Sequence, residues 1–174
     1  GHVNYENLNL FTTEAPVTDT LLRYLDGLDA RNWGQITELL SKPFHLQAAM
    51  LNVDQIIQPE EYLALGPKRF LPGFDFTSHI CSNTKIVVEN NNAHLKTKLL
   101  ACHHVKHNDA DMTDSSPMFI NTIYCNMHMN WEGWFSLQDH ASWLINKIRM
   151  DVVAIEGDPK AFDLALERAS KKPE

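Results

Sequence analysis

The sequence is short of nearly every feature that marks a metal, phosphate or nucleic-acid protein. Its three cysteines, Cys81, Cys102 and Cys125, are odd in number, widely spaced and without a CxxC pair. That excludes a disulfide framework and reads as reduced thiols in a cytoplasmic protein. Nine histidines come without an HExxH or a Cys/His ladder. His103, His104 and His107 crowd together, but successive strand residues point opposite ways, so neither a metal nor a cofactor is expected. A glycine-rich phosphate loop and a GxSxG elbow are both missing, which argues against nucleotide binding and serine hydrolysis. With a net charge of −7 there is no basic cluster for a nucleic acid. No apolar run approaches the roughly 20 residues that span a bilayer, and the first residues carry no signal-peptide pattern, so no membrane partner is expected. Arginine occurs only at positions 23, 31, 69, 149 and 168, and only Arg149, on the last strand, is placed for a cavity.

What is present is a globular composition. Apolar residues make up 44% of 174, with four Trp, eight Phe and four Tyr, enough for one domain with a core of its own. Residues 1–16 are polar and read as an N-terminal arm, leaving 17–174 as the single domain. A helix is predicted from near Val17 to Asp29, with Thr18 as a possible cap and Leu21, Leu22, Tyr24, Leu25 and Leu28 on one stripe. Asp29 falls inside that stripe and so either faces the core or caps the next helix, over 31–41. Residues 44–51 suit a strand or a buried turn, and a third helix starts near Pro59 and ends around Gly66 and Pro67. From Phe74 the pattern becomes strands: 76–89, a turn of three asparagines, 93–106, a polar loop over 108–117, and a hairpin of 133–138 with 142–155. The stretch 118–130 has no clean period, and Met118, Met127 and Met129, with Trp131 and Trp134 just beyond it, suit a core, a dimer face or a pocket mouth. A last helix runs from Pro159 to about Ser170. Helices followed by antiparallel strands indicate an α+β fold, a curved sheet wrapped round the early helices as a cone with an apolar pocket.

The central stretch is 93–105. Taken as a strand, one face carries Ala93, Leu95, Thr97, Leu99, Ala101, His103 and Val105. That face is apolar until His103, so an imidazole points inward, as a satisfied core histidine or as a working group. A titratable group there needs a partner or a task, since burying it unpaired costs on the order of 1–3 kcal/mol. The phase of His79 on its own strand is ambiguous.

Tyr24-Leu25-Asp26-Gly27-Leu28-Asp29-Ala30-Arg31-Asn32-Trp33, Leu71-Pro72-Gly73-Phe74 running to Ser78-His79, Ala101-Cys102-His103, and the hairpin from Gly133-Trp134-Phe135 to Trp143 together resemble the SnoaL-like, scytalone dehydratase-like branch of the NTF2-like cone proteins. The resemblance spans roughly 17–158. It implies an α+β cone, a homodimer through the sheet face, and Asp29, His79 and His103 as the catalytic group. It also implies a small hydrophobic substrate of polyketide or terpenoid type in secondary metabolism. Tyr24, Leu28, Glu132 and Arg149 are the further pocket candidates. The chain departs from the pattern where Leu28, not Tyr, precedes Asp29, and the second dehydratase tyrosine has no counterpart over 44–51. Asp29 would then orient and charge-balance an imidazole, His103 would be the general base or acid, and His79 its partner. Cofactor-free dehydration, isomerisation or cyclisation is the expected activity. A non-catalytic binding or dimerising module is the alternative.

Overall fold

The computed structural model describes residues 5–106 and 122–172, with side chains from Glu14 onward. The loop expected at 108–117 and the residue Met118 lie outside the described residues.

Helix α1 (Tyr5–Ala30) buries Val17, Leu21, Tyr24, Leu25 and Leu28 along one side, while Leu22, placed on the same stripe by sequence, is 44% exposed. The helix starts at Tyr5, not near Val17, and runs through Pro16, so the polar segment before Val17 is helical from Tyr5 on. Proline removes one backbone donor and crowds the carbonyl four residues back, yet the helix continues through it. At the far end Arg31 takes a left-handed conformation (φ 56°), with Asn32 N–H donating to Gly27 O and Arg31 N–H to Leu28 O. This is the double hydrogen bond that closes a helix C-terminus, usually built on glycine. Asn32 then caps α2 (Trp33–Leu39), its side chain accepting from Gln35 N–H at 3.1 Å. The cap is therefore Asn32, and Asp29 is free to face the interior.

α2 stops at Leu39 rather than Ser41, because β1 (Leu40–Ala48) begins at once, and β1 pairs with a strand not foreseen from sequence, β2 (Val53–Ile57). α3 (Pro59–Leu65) and α4 (Pro67–Phe70) follow. Strands β3 (Phe76–Glu89), β4 (Asn92–Lys106), β5 (Thr122–Gln138) and β6 (Ser142–Gly157) make the long part of the sheet, and α5 (Lys160–Ser170) closes the chain. The sheet order is β2-β1-β6-β5-β4-β3, antiparallel throughout except that β1 runs parallel to β6. From Thr122 on, the aperiodic stretch and the first strand of the expected second hairpin are one strand, β5. Gly133 lies in its middle because a Cβ there would meet the Trp131 ring at 2.5 Å. The α+β cone expected from the sequence is present: the sheet curls round α1, and its inner face carries Ala93, Leu95, Leu99, Ala101, Trp131, Phe135, Ile145 and Ile148 into one core. Among the described residues no helix is long and apolar enough to cross a membrane.

Helix α5 lies across one end of this core, burying Ala161 and Ala165. The small residues permit a close approach: a Cβ on Gly73, in the turn before β3, would stand 1.8 Å from the Ala165 carbonyl oxygen. Backbone cannot swing aside as a flexible side chain can. Gly73→Ala should lower unfolding stability by about 2 kcal/mol through displacement of α5, read from the urea midpoint. An unchanged midpoint would show that α5 is not docked there.

Candidate active site

The end of α1 meets the start of β3 through one carboxylate. Asp29 Oδ1 accepts from His79 Nδ1–H at 2.7 Å and from the Thr77 hydroxyl at 3.0 Å, and Oδ2 accepts from the His79 backbone N–H at 3.0 Å. Thr77 in turn accepts from the Arg31 guanidinium at 2.7 Å, and the same Nη1 reaches the carbonyls of Leu28 and Asp29 at 2.8 and 3.2 Å. These contacts give the strained Arg31 backbone its compensation. Partial burial pushes the Asp29 carboxyl up, but the hydrogen bonds and charge of His79, with Thr77, outweigh it and hold the pKa below its ordinary value. Asp29 is therefore a carboxylate. A carboxylate oxygen can only accept, so Nδ1 of His79 carries the proton and Nε2 is the nitrogen without a partner among the described residues.

His79 and His103 line the same cavity, of about 170 Å³, with Tyr24, Leu28, Leu99, Met127, Met129, Trp131 and Phe162 among its walls. The two imidazoles stand edge to face, 6.0 Å between centroids. His103 donates Nδ1–H to the Cys125 carbonyl at 2.9 Å, which fixes its tautomer. Phe162 and Phe74 pack against its ring at 4.8 and 4.9 Å. Burial, then the charge of His79, depress its pKa to about 4, so His103 is neutral at physiological pH with Nε2 as an acceptor. His103 is thus both things that its strand face allowed, a satisfied histidine at Nδ1 and a cavity group at Nε2.

The imidazole that Asp29 charge-balances is His79 and not His103. The sequence expectation needs correcting in two places. Glu132 and Arg149 do not line the cavity. They stand opposite each other on the outer face of the sheet, Glu132 with His94 at 3.2 Å and Arg149 with Asp151 at 3.0 Å. Their neighbours Trp131 and Met150 point inward instead, since adjacent strand residues face opposite ways. The departure over the tyrosines also has an answer that the sequence reading missed. Tyr62, on α3, is fully buried and shares a short hydrogen bond with Tyr24, so two phenols line the cavity from other positions. Burial raises both: Tyr24 well above its ordinary range, helped by Tyr62, and Tyr62 to about 12. Both stay protonated and can only serve as hydroxyls. Tyr24 and Leu28 were expected in the pocket and are there. Arg31 and Thr77 were not anticipated, and no short-range signal marks them. The described residues contain no cluster of His, Cys, Asp and Glu able to hold a metal.

No protein-family model and no curated protein matches the sequence. Solved structures do. A Novosphingobium aromaticivorans protein provisionally named as scytalone dehydratase aligns at 17% identity with a TM-score of 0.66, covering 88% of this chain and 91% of its own. The hexachlorocyclohexane dehydrochlorinase LinA-type3 of Novosphingobium barchaimii aligns at 14% and 0.66, covering 88% and 94%. A provisionally named dehydratase of the NTF2-like family from Streptomyces avermitilis aligns at 8% and 0.61, covering 82% and 98%. The fold of this chain is accordingly the NTF2-like cone.

The neutral state of His103 has a consequence for stability. Unfolded, this histidine takes a proton near pH 6.5; folded, it takes one only near pH 4. Between those values the unfolded chain binds more protons, so stability falls as pH falls. From pH 6.5 to 4 the wild type should lose about 3 kcal/mol more than His103→Gln, measured by denaturant midpoints. Parallel pH profiles for the two proteins would contradict the buried neutral imidazole.

Proposed function

We propose that this protein is a cofactor-free acid–base enzyme, a lyase or isomerase that takes a proton from carbon on a small, mostly apolar molecule held in the cone. The observation that carries this is the Asp29–His79 pair: an imidazole with one nitrogen locked onto a carboxylate and the other left for a cavity walled by Leu, Met and aromatic side chains. Nε2 of His79 takes the proton, and Asp29 balances the imidazolium that forms. An apolar surround strengthens that balance, because Coulomb attraction grows as local dielectric falls. In an elimination, the C–H electron pair becomes the new double bond as the bond to the leaving oxygen breaks, and that oxygen departs as water after taking a proton. The imidazolium or the hydroxyl of the tyrosine pair is the available donor. In an isomerisation the same imidazolium returns the proton to a different carbon. His103, held neutral, accepts a hydrogen bond from a substrate hydroxyl and orients it. The neighbours named as dehydratases and as a dehydrochlorinase support the elimination branch by analogy of fold. A polyketide- or terpenoid-like intermediate of secondary metabolism fits the size and apolar character of the cavity.

His79→Ala and Asp29→Asn should each lower turnover by roughly 10²–10⁴-fold, the usual worth of a positioned base, with the protein still folded by circular dichroism but unfolding at lower denaturant. The test is the metabolite profile of a producing host carrying wild type or His79→Ala. Accumulation of a compound one water heavier than the product identifies a dehydratase; a compound of equal mass identifies an isomerase or cyclase. An unchanged profile overturns the catalytic reading in favour of a binding module.

A further inference from the structure

Among the described residues two buried side-chain polar atoms have no hydrogen-bond partner, Asn126 Oδ1 and Trp131 Nε1. They differ in where they lie. Asn126 is in register with Cys102 and Glu156, on the outer face of the sheet. Trp131 is 1% exposed and lines the cavity. A buried indole N–H left without an acceptor is costly, and tryptophan in a finished core ordinarily finds one. Nothing in the proton-transfer scheme above uses it.

The indole is also held in place. Trp131 and Gly133 are two apart on β5 and share its inner face. The edge of the six-membered ring lies over Gly133, where a Cβ would meet Cζ3 at 2.5 Å and Cη2 at 2.6 Å. On the indole, Nε1 lies across the ring system from Cζ3, so packing that edge against Gly133 turns the N–H the other way. On another side stands Tyr24, 6.0 Å between ring centroids. The Tyr24–Tyr62 pair has two hydroxyl protons and spends one between its own oxygens, so a second donor belongs to the same region of the wall.

We infer that Trp131 Nε1–H is a substrate-binding donor, and that the molecule taken up carries a carbonyl oxygen which this N–H receives. The carbonyl is preferred over other acceptors because the proposed reaction, on which this choice rests, removes a proton from carbon. A C–H beside a carbonyl is acidic enough for an imidazole, and the charge that develops collects on the carbonyl oxygen, where a fixed donor is worth most. The cavity then sorts its ligands by one feature, an oxygen acceptor on an otherwise apolar ring system.

The test is a matched pair of probes, 1-tetralone and the hydrocarbon tetralin, titrated into wild type and Trp131→Phe by calorimetry. Loss of the donor should weaken 1-tetralone about tenfold, the size of one hydrogen bond, and change tetralin by less than about threefold. In ¹⁵N-labelled wild type, the indole signal that Trp131→Phe lacks should move downfield with 1-tetralone and not with tetralin; Gly133→Ala should shrink that response by displacing the ring. Equal weakening of both probes, no weakening of the ketone, an indole signal indifferent to it, or failure of wild type to bind either probe overturns the inference. The same titrations on His79→Ala separate this result from the catalytic one. The ketone effect should persist there, so an inactive scheme and a wrong donor give different outcomes.

Discussion

The arrangement depends on a single carboxylate partly withdrawn from water. Asp29 sits at the last turn of a helix, where the peptide dipoles already favour positive charge and make a carboxylate unwelcome. Moving such a group toward the interior costs several kcal/mol unless it is paired and fully hydrogen-bonded. Here it collects three donors from one short piece of β3, two from His79 and one from Thr77. Those bonds fix the height and rotation of α1 against the sheet, and with them the apolar stripe of Val17, Leu21, Tyr24, Leu25 and Leu28. The left-handed Arg31 belongs to the same bargain. Its side chain donates to Thr77, which in turn donates to Asp29. Fold and site are thus held by the same contacts. A carboxylate kept for chemistry alone would have been cheaper at the surface.

Because Asp29 serves one imidazole and not the other, the two histidines are unequal. His79 has a charge to balance its protonated form. His103 has a carbonyl at Nδ1, two phenyl rings and the His79 imidazole beside it, and burial with the charge of His79 favours its neutral form. The structure therefore offers a counter-charge to an imidazolium at His79 and none in hydrogen-bond contact with His103. The buried phenols extend the asymmetry, since both keep their protons and can donate but not abstract.

How much of this could be read from the chain follows from where two-residue alternation holds. It holds along β4, so His103 was identifiable as an inward imidazole, and the ends of β3 fell where sequence put them. It fails in the middle of β3, where the register slips between Ser82 and Lys85 and Asn83 takes φ 55°. Thr77, His79 and Cys81 share the inner face before the slip, and Ile86 and Val88 share it after, so a single alternation could not phase His79. Glu132 and Arg149 were misplaced for the opposite reason. Alternation does hold from Trp131 to Phe135, and it puts Glu132 outside among Lys96, His94 and Arg149, the mixed charges of a solvated face. The Asp29–His79 contact, the Tyr24–Tyr62 pair and the Arg31–Thr77 link join residues 38 or more apart, and no local pattern encodes them. Helix periodicity put Asp29 on the inner stripe, and the family resemblance supplied His79 where strand periodicity could not.

The polar atoms of the cavity fall into two kinds that come from different elements. The acceptors are the Nε2 atoms of His79 and His103, from the neighbouring strands β3 and β4. The donors are the hydroxyl of the Tyr24–Tyr62 pair, from α1 and α3, and, on the inference above, the indole N–H of β5. In the proposed reaction electrons move from the carbon that gives up a proton toward an oxygen that gains charge. A wall that accepts protons from one set of elements and donates hydrogen bonds from another is polarised in the sense such a transfer requires. The apolar remainder, chiefly Leu, Met and Phe side chains, contributes no competing partner and lets those few dipoles act in a low dielectric. Without them the same cone would be a container for any apolar molecule of the right size. On the proposed function, those dipoles let the cone discriminate by where a molecule carries its acidic C–H and its oxygen.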